Sequence, residues 1–570
     1  MVQSTKRGQW NTMLLFLTIV LGASVRFAPA AMSGFPINDG GMFYVMVRDL
    51  QVNHYYLPFY TTYNDLNIPF VYPPLPLYMA GLVSEFFSVS LIEIFRWLPA
   101  LITTVSLFAF YLLALSVLDS RSQATLATAA FALVPRSISW FIMGGGLTRA
   151  FGQLFLLLTL YSIYNLFTKN SRKYLVCSIL AGSAVVLSHP ESALHAVACC
   201  ILFWLFLARS KTGGVNALLV AVGILLVISP VLIILVSRHG LAPFQSAFQT
   251  GGHSRYFWPT IATFVTFIFA EERFITWVSV LGLLGGLASL VKRQYLLPIW
   301  LAIPFFVEPR SAPAISVFPL AMLAAVGLSE IVFPAVISLQ HKVSGQPLAL
   351  EGVHDWADLA PRSGFVRLAL GFFILSAFYG IFYFDIMTLA RLSLAQSDRD
   401  AMAWVAENTP VRSRFVILTG RGGDSLFSDA VQEWFPALTS RRSLSTLQGN
   451  EWLLGSEFMQ RMKDLGDLQE CMNDDVICIE KWSKEHNLPY GYVYVQKLAS
   501  PAGYLLAKPG ILPRTLLSSL RDADDYILVY ENDAVALFAY RASSRYKTQG
   551  SRCEISASFS RGNCYPDALR

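Results

Sequence analysis

Long apolar runs separated by short polar loops dominate this chain from its N-terminus to about residue 385. A helix that crosses a bilayer needs about 20 mostly apolar residues, so each run of that length is a candidate span. The whole chain is apolar as well, because 54% of its 570 residues are hydrophobic and only 14% are charged. A soluble multidomain enzyme is therefore excluded, and lipid must be the main solvent.

Eleven spans are predicted from these runs. They lie near residues 10–31, 95–118, 123–142, 150–168, 174–189, 192–208, 215–236, 274–291, 295–308, 312–334 and 364–385. Two further apolar stretches, 73–89 and 259–270, are short and contain proline, so we interpret them as juxtamembrane or re-entrant helices. A full crossing by residues 73–89 is the alternative.

Basic residues at the ends of the spans set the predicted orientation, because lysine and arginine are retained on the cytoplasmic side. Lys6 and Arg7 place the N-terminus in the cytoplasm, unless the first run is a cleaved secretory signal. Counting crossings from there places residues 31–94, 237–273 and everything after about Asp385 outside. The net charge of +6 comes from basic residues at helix ends and not from a patch, so nucleic-acid binding is not expected.

The segment 386–570 has the composition of an ordinary globular domain. An amphipathic helix is predicted over 397–408. Candidate strands follow at 414–419, 490–496, 526–530 and 534–540. The predicted fold is a polytopic α-helical membrane domain over 1–385, with about eleven transmembrane helices plus juxtamembrane helices, followed by an extracytoplasmic mixed α/β domain.

Four of the seven cysteines lie in this last segment, on the side that the topology makes oxidising. An even number there predicts two disulfides, which by proximity would join Cys471 to Cys478 and Cys553 to Cys564. Four free thiols are the alternative if the cell lacks an oxidising exterior. Zinc is disfavoured, because neither pair has the two-residue spacing typical of a zinc ligand set.

The first outer loop, residues 31–94, contains the most informative polar residues. Asp39 precedes a stretch, 42–50, in which apolar residues recur at helical spacing, which predicts an amphipathic helix in the membrane interface. Two roles for Asp39 are open at this point. Asp39 is either only a cap, whose carboxylate is stabilised by the amides at the start of that helix, or a base that accepts a proton from an acceptor hydroxyl at the membrane surface.

Three stretches, in their order along the chain, resemble the GT-C glycosyltransferases. The first is Asp39 ahead of a surface helix, with Pro-Pro-Leu at residues 73–75 opening the next apolar helix. Residues 308–310 resemble an arginine-bearing outer turn before a proline-interrupted helix, and 401–410 resemble the start of the extracytoplasmic domain, a helix and then Asn-Thr-Pro. The nearest branches are the protein mannosyltransferase and aminoarabinose transferase type enzymes and the bacterial transferases related to rhizobial lipopolysaccharide sugar transferases.

This resemblance implies transfer of a hexose or pentose from a polyprenyl phosphate carrier to an extracytoplasmic glycan, lipid or protein acceptor, with inversion. Asp39 matches the general base of the family's first loop. Arg149 and Arg310, at the outer ends of spans, are the candidates for holding the donor phosphate, because arginine binds phosphate in a bidentate manner. The resemblance also implies an integral protein of a prokaryotic plasma (inner) membrane.

The chain departs from the family's pattern after Arg149, where many members have a second acidic residue and this chain has Ala150. Either one carboxylate suffices, or the role passes to one of three candidates: Glu191, Asp65 or Glu271. Tyr72 and His189 are further candidates for substrate binding. His189 and Glu191 could also hold a divalent metal, although such residues at the end of a span are more often solvated or paired with each other.

Two other classes of function also fit a chain with many spans. A transporter or lipid flippase would place polar residues within the membrane, but transporters usually contain internal repeats, and the sequence shows none. A non-catalytic membrane scaffold with a binding C-terminal domain would make Asp39 dispensable. In that domain Trp434, Phe435 and Trp452 either stack on sugar rings or pack in the core.

Overall fold

The computed structural model describes residues 2–250, 253–267, 276–344, 360, 363–497 and 513–541. Among these residues, helices predominate as far as Ala390, and a sheet forms after Thr409. Seven helical stretches among the described residues are long and apolar enough to cross a membrane. They are Gln9–Ser33, Leu91–Leu118, Gly146–Lys169, Pro190–Leu207, Lys211–His239, Ala312–Val343 and Gly364–Ala390.

The helices are numbered in chain order. The first nine are α1 Val2–Ser33, α2 Gly41–Val52, α3 Leu75–Phe87, α4 Leu91–Leu118, α5 Arg121–Ala132, α6 Gly146–Lys169, α7 Arg172–Val186, α8 Pro190–Leu207 and α9 Lys211–His239. The next nine are α10 Ala242–Thr250, α11 His253–Thr266, α12 Trp277–Val291, α13 Leu296–Ala302, α14 Pro304–Val307, α15 Ala312–Gly327, α16 Phe333–Ser344, α17 Gly364–Gly380 and α18 Met387–Ala390. The last five are α19 Gln396–Asn408, α20 Ala430–Thr439, α21 Phe458–Glu470, α22 Val476–Glu485 and α23 Arg514–Asp522.

The predicted fold class is confirmed, since a polytopic helical part precedes a domain that contains a sheet. Four predicted spans are occupied by shorter helices, namely α5, α7, α12 and the pair α13 and α14. Prolines interrupt two of these spans, because proline cannot donate the backbone hydrogen bond that continues a helix. Pro135 begins a tight turn after α5, and Pro304 separates α14 from α13.

A five-stranded mixed sheet forms the centre of the C-terminal domain. Its strands are β3 Arg414–Leu418, β4 Arg442–Ser443, β5 Tyr492–Gln496, β6 Tyr526–Glu531 and β7 Val535–Tyr540, and β1 Tyr60–Thr61 and β2 Ile68–Pro69 form a separate hairpin in the first outer loop. The order is β4-β3-β5-β7-β6, with β3 parallel to both β4 and β5, and β7 antiparallel to β5 and β6. The four strands predicted from the sequence are confirmed, and β4, with two residues, was missed.

Both faces of the central strands β3, β5 and β7 are mostly buried, and alternate residues of each strand face opposite sides. Phe415 and Ile417 of β3 join a core that includes α2 and much of the first outer loop. Val416 and Leu418 face the other way, into a core shared with α21, α22 and α23. The first outer loop is therefore part of the hydrophobic core of the C-terminal domain.

The side chain of Asn64 covers the edge of the sheet at β4. Its Oδ1 accepts a hydrogen bond from Ser443 N at 2.7 Å, and its Nδ2 donates to Ser443 O at 3.0 Å. A side-chain amide thus pairs with both backbone groups of one strand residue, as a neighbouring strand would.

The helix predicted over residues 42–50 is α2, but protein covers its apolar side. Met42, Val47 and Leu50 are buried, and the helix packs against α3 and α20. Asp49 of this helix is buried too, and its carboxylate accepts hydrogen bonds from the Thr61 hydroxyl and from Thr62. The periodicity predicted the helix correctly, but α20, which covers it, lies almost 400 residues further along the chain.

Candidate active site

Asp39 lies where the first outer loop meets the start of α6. Its Oδ1 accepts a hydrogen bond from Gly145 N at 3.0 Å, and its Oδ2 lies 3.3 Å from Nη1 of Arg149. The carboxylate therefore contacts both the start of α6 and a guanidinium. The expectation that Asp39 caps α2 is wrong, because the residue before α2 is Gly40 and no side chain caps that helix.

Glycines let the backbone approach Asp39 closely. A methyl group on Gly145 would lie 2.6 Å from Cγ of Asp39, and one on Gly144 would collide with the Asp39 carbonyl oxygen. Gly144 N also donates a hydrogen bond to Ile37 O at 2.8 Å. Gly40 has a φ of +125°, which other residues rarely adopt. The turn before α6 therefore forms one wall of the Asp39 site.

Arg149 is oriented by two further contacts on its inner side. Its Nη1 lies 3.4 Å from Trp140 O, and its guanidinium lies 5.5 Å from the centre of the Trp140 ring. The side chain is 26% exposed, so it is accessible to a ligand while it holds Asp39.

Arg310 is more exposed, with 42% of its side chain accessible, and its Nη1 lies 4.0 Å from Glu191 Oε1. Both arginines lie within electrostatic reach of Tyr72, as does Glu191. The structure therefore brings together four residues that the sequence placed in separate segments.

Tyr72 connects this cluster to the C-terminal domain. Its hydroxyl lies 3.1 Å from Oγ1 of Thr148, and its ring lies 4.7 Å from Phe43 and 5.9 Å from Trp452. Burial raises the pKa of Tyr72 to about 12, so the phenol keeps its proton at neutral pH. It can form hydrogen bonds to a substrate but is not a base.

His189 caps the start of α8, where its Nδ1 accepts a hydrogen bond from Ser192 N at 3.3 Å. His195, six residues further along, places Nε2 2.9 Å from the Ser311 hydroxyl. Among the described residues, no three His, Cys, Asp or Glu side chains are grouped so that they could hold a metal ion. A divalent metal at His189 and Glu191 stays a prediction.

The remaining candidates are placed as follows. Asp65 is exposed on the short turn Tyr63–Asp65. Cys471 and Cys478 form a disulfide. Glu271, Cys553 and Cys564 lie outside the described residues.

Two consecutive residues of α20 contact the backbone on both sides of Asp39, a contact that no pattern in the sequence predicts. Trp434 Nε1 donates a hydrogen bond to Asn38 O at 2.8 Å, and Gly40 N donates to Glu433 Oε1 at 2.7 Å. Trp434 and Phe435 are fully buried, so they pack in the core and do not stack on sugars. The one feature of the sequence that could have indicated this contact is a glutamate within the mostly apolar segment 430–439.

Glu433 is almost completely buried. Burial and the neighbouring negative charge of Asp39 raise the pKa of its carboxyl to about 8, although the hydrogen bond from Gly40 partly opposes this shift. At neutral pH Glu433 is therefore mostly protonated.

A cleft of about 510 Å³ opens between the C-terminal end of α9, α10 and the C-terminal domain. Its wall includes aromatic and polar side chains, among them Tyr60, Asn67, Arg238, His239 and Trp452. Trp452 thus borders the cleft and also contacts Tyr72 of the site.

The family model described as dolichyl-phosphate-mannose-protein mannosyltransferase matches residues 71–234, less than a third of the chain. The match includes Tyr72, Arg149 and Glu191, whereas Asp39 and Glu433 lie outside it. No curated protein matches the chain.

Several solved structures share its fold. The oligosaccharyltransferase AglB from Archaeoglobus fulgidus has a TM-score of 0.52 at 13% identity, over 85% of this chain and 69% of that one. ArnT from Cupriavidus metallidurans has a TM-score of 0.50 at 12% identity, over 93% and 98%. The arabinofuranosyltransferase AftD from Mycobacteria has a TM-score of 0.50 at 12% identity, over 93% of this chain but 40% of that one. The shared fold and the partial family match together confirm the resemblance to the GT-C glycosyltransferases that the sequence indicated.

Proposed function

We propose that this protein transfers a sugar from a polyprenyl-phosphate-linked donor to an extracytoplasmic glycan, lipid or protein acceptor, with Asp39 as general base. The observation that carries the proposal is the Asp39 carboxylate, held between Gly145 N and Arg149 at the N-terminal end of α6. The comparisons support the class of donor, because the AglB structure contains a dolichol phosphate and the ArnT structure contains undecaprenyl phosphate.

The proposed reaction is a single displacement. An acceptor hydroxyl attacks the anomeric carbon from the side opposite the phosphate, so that the new bond to carbon forms as the bond to the phosphate oxygen breaks. The hydroxyl proton passes to Asp39, and the polyprenyl phosphate leaves with the bonding electrons. This geometry inverts the anomeric configuration.

Negative charge develops on the leaving phosphate, and fixed cations stabilise it most effectively. Arg149 is held by Asp39 and Trp140, and 26% of its side chain stays exposed for a ligand. Arg310 is the more accessible of the two arginines. We assign both to the donor phosphate, with Tyr72, which lies within electrostatic reach of both, as a hydrogen-bonding group.

Replacement of the more accessible arginine, Arg310→Gln, is expected to raise the KM for the donor about tenfold, because hydrogen bonds to charged groups contribute about 1.5–3 kcal/mol. Steady-state kinetics with a purified lipid-linked donor measure this change. The control is Arg209→Gln, which removes an exposed arginine on the predicted cytoplasmic side. An unchanged KM in the Arg310 variant would remove Arg310 from the donor site.

The acceptor is proposed to enter through the cleft beside Trp452, since this residue is shared between the cleft and the site. Aromatic and polar groups together suit a hydroxyl-bearing acceptor such as a glycan. Identification of the glycosylated product decides whether the acceptor is a glycan, a lipid or a protein.

Purified protein incubated with a panel of polyprenyl phosphate sugars and candidate acceptors tests the function directly. We expect loss of one lipid-linked donor and, by NMR, a product with the opposite anomeric configuration. Retained configuration would contradict the single displacement. If no donor is consumed but a labelled lipid-linked sugar crosses proteoliposome membranes, the protein is a transporter and not a transferase.

The scheme requires the site to face the outside of the plasma membrane. Val52, at the end of α2, is 76% exposed. A cysteine placed there, Val52→Cys, is expected to react with a membrane-impermeant maleimide in intact cells, whereas Gly214→Cys, in the predicted cytoplasmic end of α9, should react only after lysis. Labelling is compared with the unsubstituted chain, which has seven cysteines of its own. The reverse pattern would place Asp39 in the cytosol and contradict the proposal.

A further inference from the structure

The backbone on both sides of Asp39 is held by the C-terminal domain and not only by the membrane helices. Trp434 Nε1 binds the carbonyl before it, and Glu433 Oε1 binds the amide after it, both within 2.8 Å. The next residue, Gly41, has no room for a side chain, because a methyl group there would lie 2.5 Å from Glu433 O. The Asp39 turn is therefore enclosed between α20 and the start of α6.

Other contacts fix α20 itself against the first outer loop. The Tyr63 hydroxyl donates a hydrogen bond to Glu433 O at 2.8 Å, and the Phe35 ring lies 4.8 Å from the Trp434 ring. The second carboxyl oxygen of Glu433 accepts a hydrogen bond from Gln448 Nε2 at 2.9 Å. Each polar atom of the Glu433 side chain thus has a partner, and neither oxygen points toward open solvent.

We propose that Glu433 and Trp434 are positioning residues of the transfer reaction, which act from the C-terminal domain by fixing the peptide groups on either side of Asp39. This inference rests on the proposed function, because it assumes that Asp39 takes the acceptor proton. Glu433 and Trp434 do not touch the substrate in this scheme. They set the position of the Asp39 carboxylate, and a displacement of about 1 Å at a reacting group can lower a rate about 100-fold.

The charge state of Glu433 gives this role a distinct signature. The titratable groups that face it are Asp39 and Glu451, both acidic, together with Tyr63, while Arg149 pairs with Asp39 from α6. A protonated Glu433 still accepts the Gly40 N–H on one oxygen, and its proton can be donated to Gln448, whose amide orientation is interchangeable. Ionisation adds a second negative charge beside Asp39, which repels that carboxylate and disturbs the turn.

The sign of the pH dependence follows from this raised pKa. A carboxyl that binds its proton more tightly in the folded protein than in the unfolded chain stabilises the fold below its unfolded pKa, and this stability is lost as the pH rises through the folded pKa. For Glu433 this pH range runs from the ordinary glutamate pKa of 4.5 to about 8. Because ionised Glu433 also repels the Asp39 carboxylate, turnover should decline as the pH rises through about 8.

Two variants test the proposal. Glu433→Gln keeps an acceptor for Gly40 N but cannot ionise, so it should retain turnover at pH 7 and lose the decline in kcat near pH 8. Glu433→Ala removes the contact, and we expect kcat to fall about 100-fold while the KM for the donor changes less than threefold. Glu470→Gln, on the exposed side of α21, is the matched control and should keep the wild-type profile.

A double variant separates this inference from the proposed function. If Glu433 acts through Asp39, then Asp39→Asn combined with Glu433→Ala loses no more activity than Asp39→Asn alone. Wild-type kcat in Glu433→Ala, beside an inactive Asp39→Asn, would overturn the positioning role and leave the base in place. Equal turnover by Asp39→Asn and wild type would overturn both. If Glu433→Ala does not fold, an unchanged alkaline decline in Glu433→Gln would still refute the proposal.

Discussion

Replacement of Asp39 by asparagine is expected to lower the turnover number about 100- to 10,000-fold, the range that general-base catalysis contributes. Asparagine has the same shape and can still accept the hydrogen bond from Gly145 N. It cannot accept a proton from the acceptor hydroxyl, and it loses the ion pair with Arg149. The effect should fall on kcat more than on the KM for the donor, and single-turnover consumption of the lipid-linked donor measures it.

The matched control for this variant is Asp533→Asn, which makes the same chemical change at an exposed turn between β6 and β7. It should turn over donor at the wild-type rate. If Asp39→Asn did the same, Asp39 would be a structural cap for α6, and the scaffold and transport interpretations would regain their place.

A single methyl group added at Gly145 is expected to have an effect of similar size. Gly145 has a φ of −67° and a ψ of −14°, which alanine adopts without strain, so Gly145→Ala does not disturb the backbone by itself. The new Cβ would lie 2.6 Å from Cγ of Asp39, so the carboxylate must move. A shift of about 1 Å at the base should lower kcat about 100-fold.

Gly286→Ala is the control for this change, because a methyl group on that α12 residue would meet nothing within 4 Å. It should leave both kcat and thermal stability close to those of wild type or raise stability slightly, since alanine favours helix formation. Near-normal kcat in Gly145→Ala would mean that the position of Asp39 observed here is not the catalytic one.

Local patterns in the sequence were sufficient to predict most of the architecture. The apolar runs predicted the spans, and short β-branched and aromatic segments predicted β3, β5, β6 and β7, because both signals depend only on neighbouring residues. The interruption after α5 was missed, although Pro135 marks it. The face on which α2 is buried was also missed, since α20 covers it only once the chain has folded.

The candidate site was predicted only in part, because its contacts join segments that are far apart in the sequence. Asp39 and Arg149 were both identified, and the structure pairs them, but no pattern in the sequence indicated that they touch. Glu433 was missed because its role depends on a contact with Gly40 across 393 positions of the chain. A buried acid in an apolar helix can indicate such a contact, but it does not name the partner.

The amide of Asn64 has a consequence for attempts to divide this protein. The Asn64 amide takes the place of a sixth strand beside β4, so Ser443 at that edge of the sheet already has hydrogen-bond partners in the intact protein. A fragment that begins at about residue 390 would lack Asn64, so the backbone groups of β4 at Ser443 would be unpaired. Such an edge can pair with an extended segment of another chain, and self-association is the expected outcome. Soluble fragments for crystallisation or antibody selection should therefore carry the 60–70 hairpin, supplied by fusion or as a peptide.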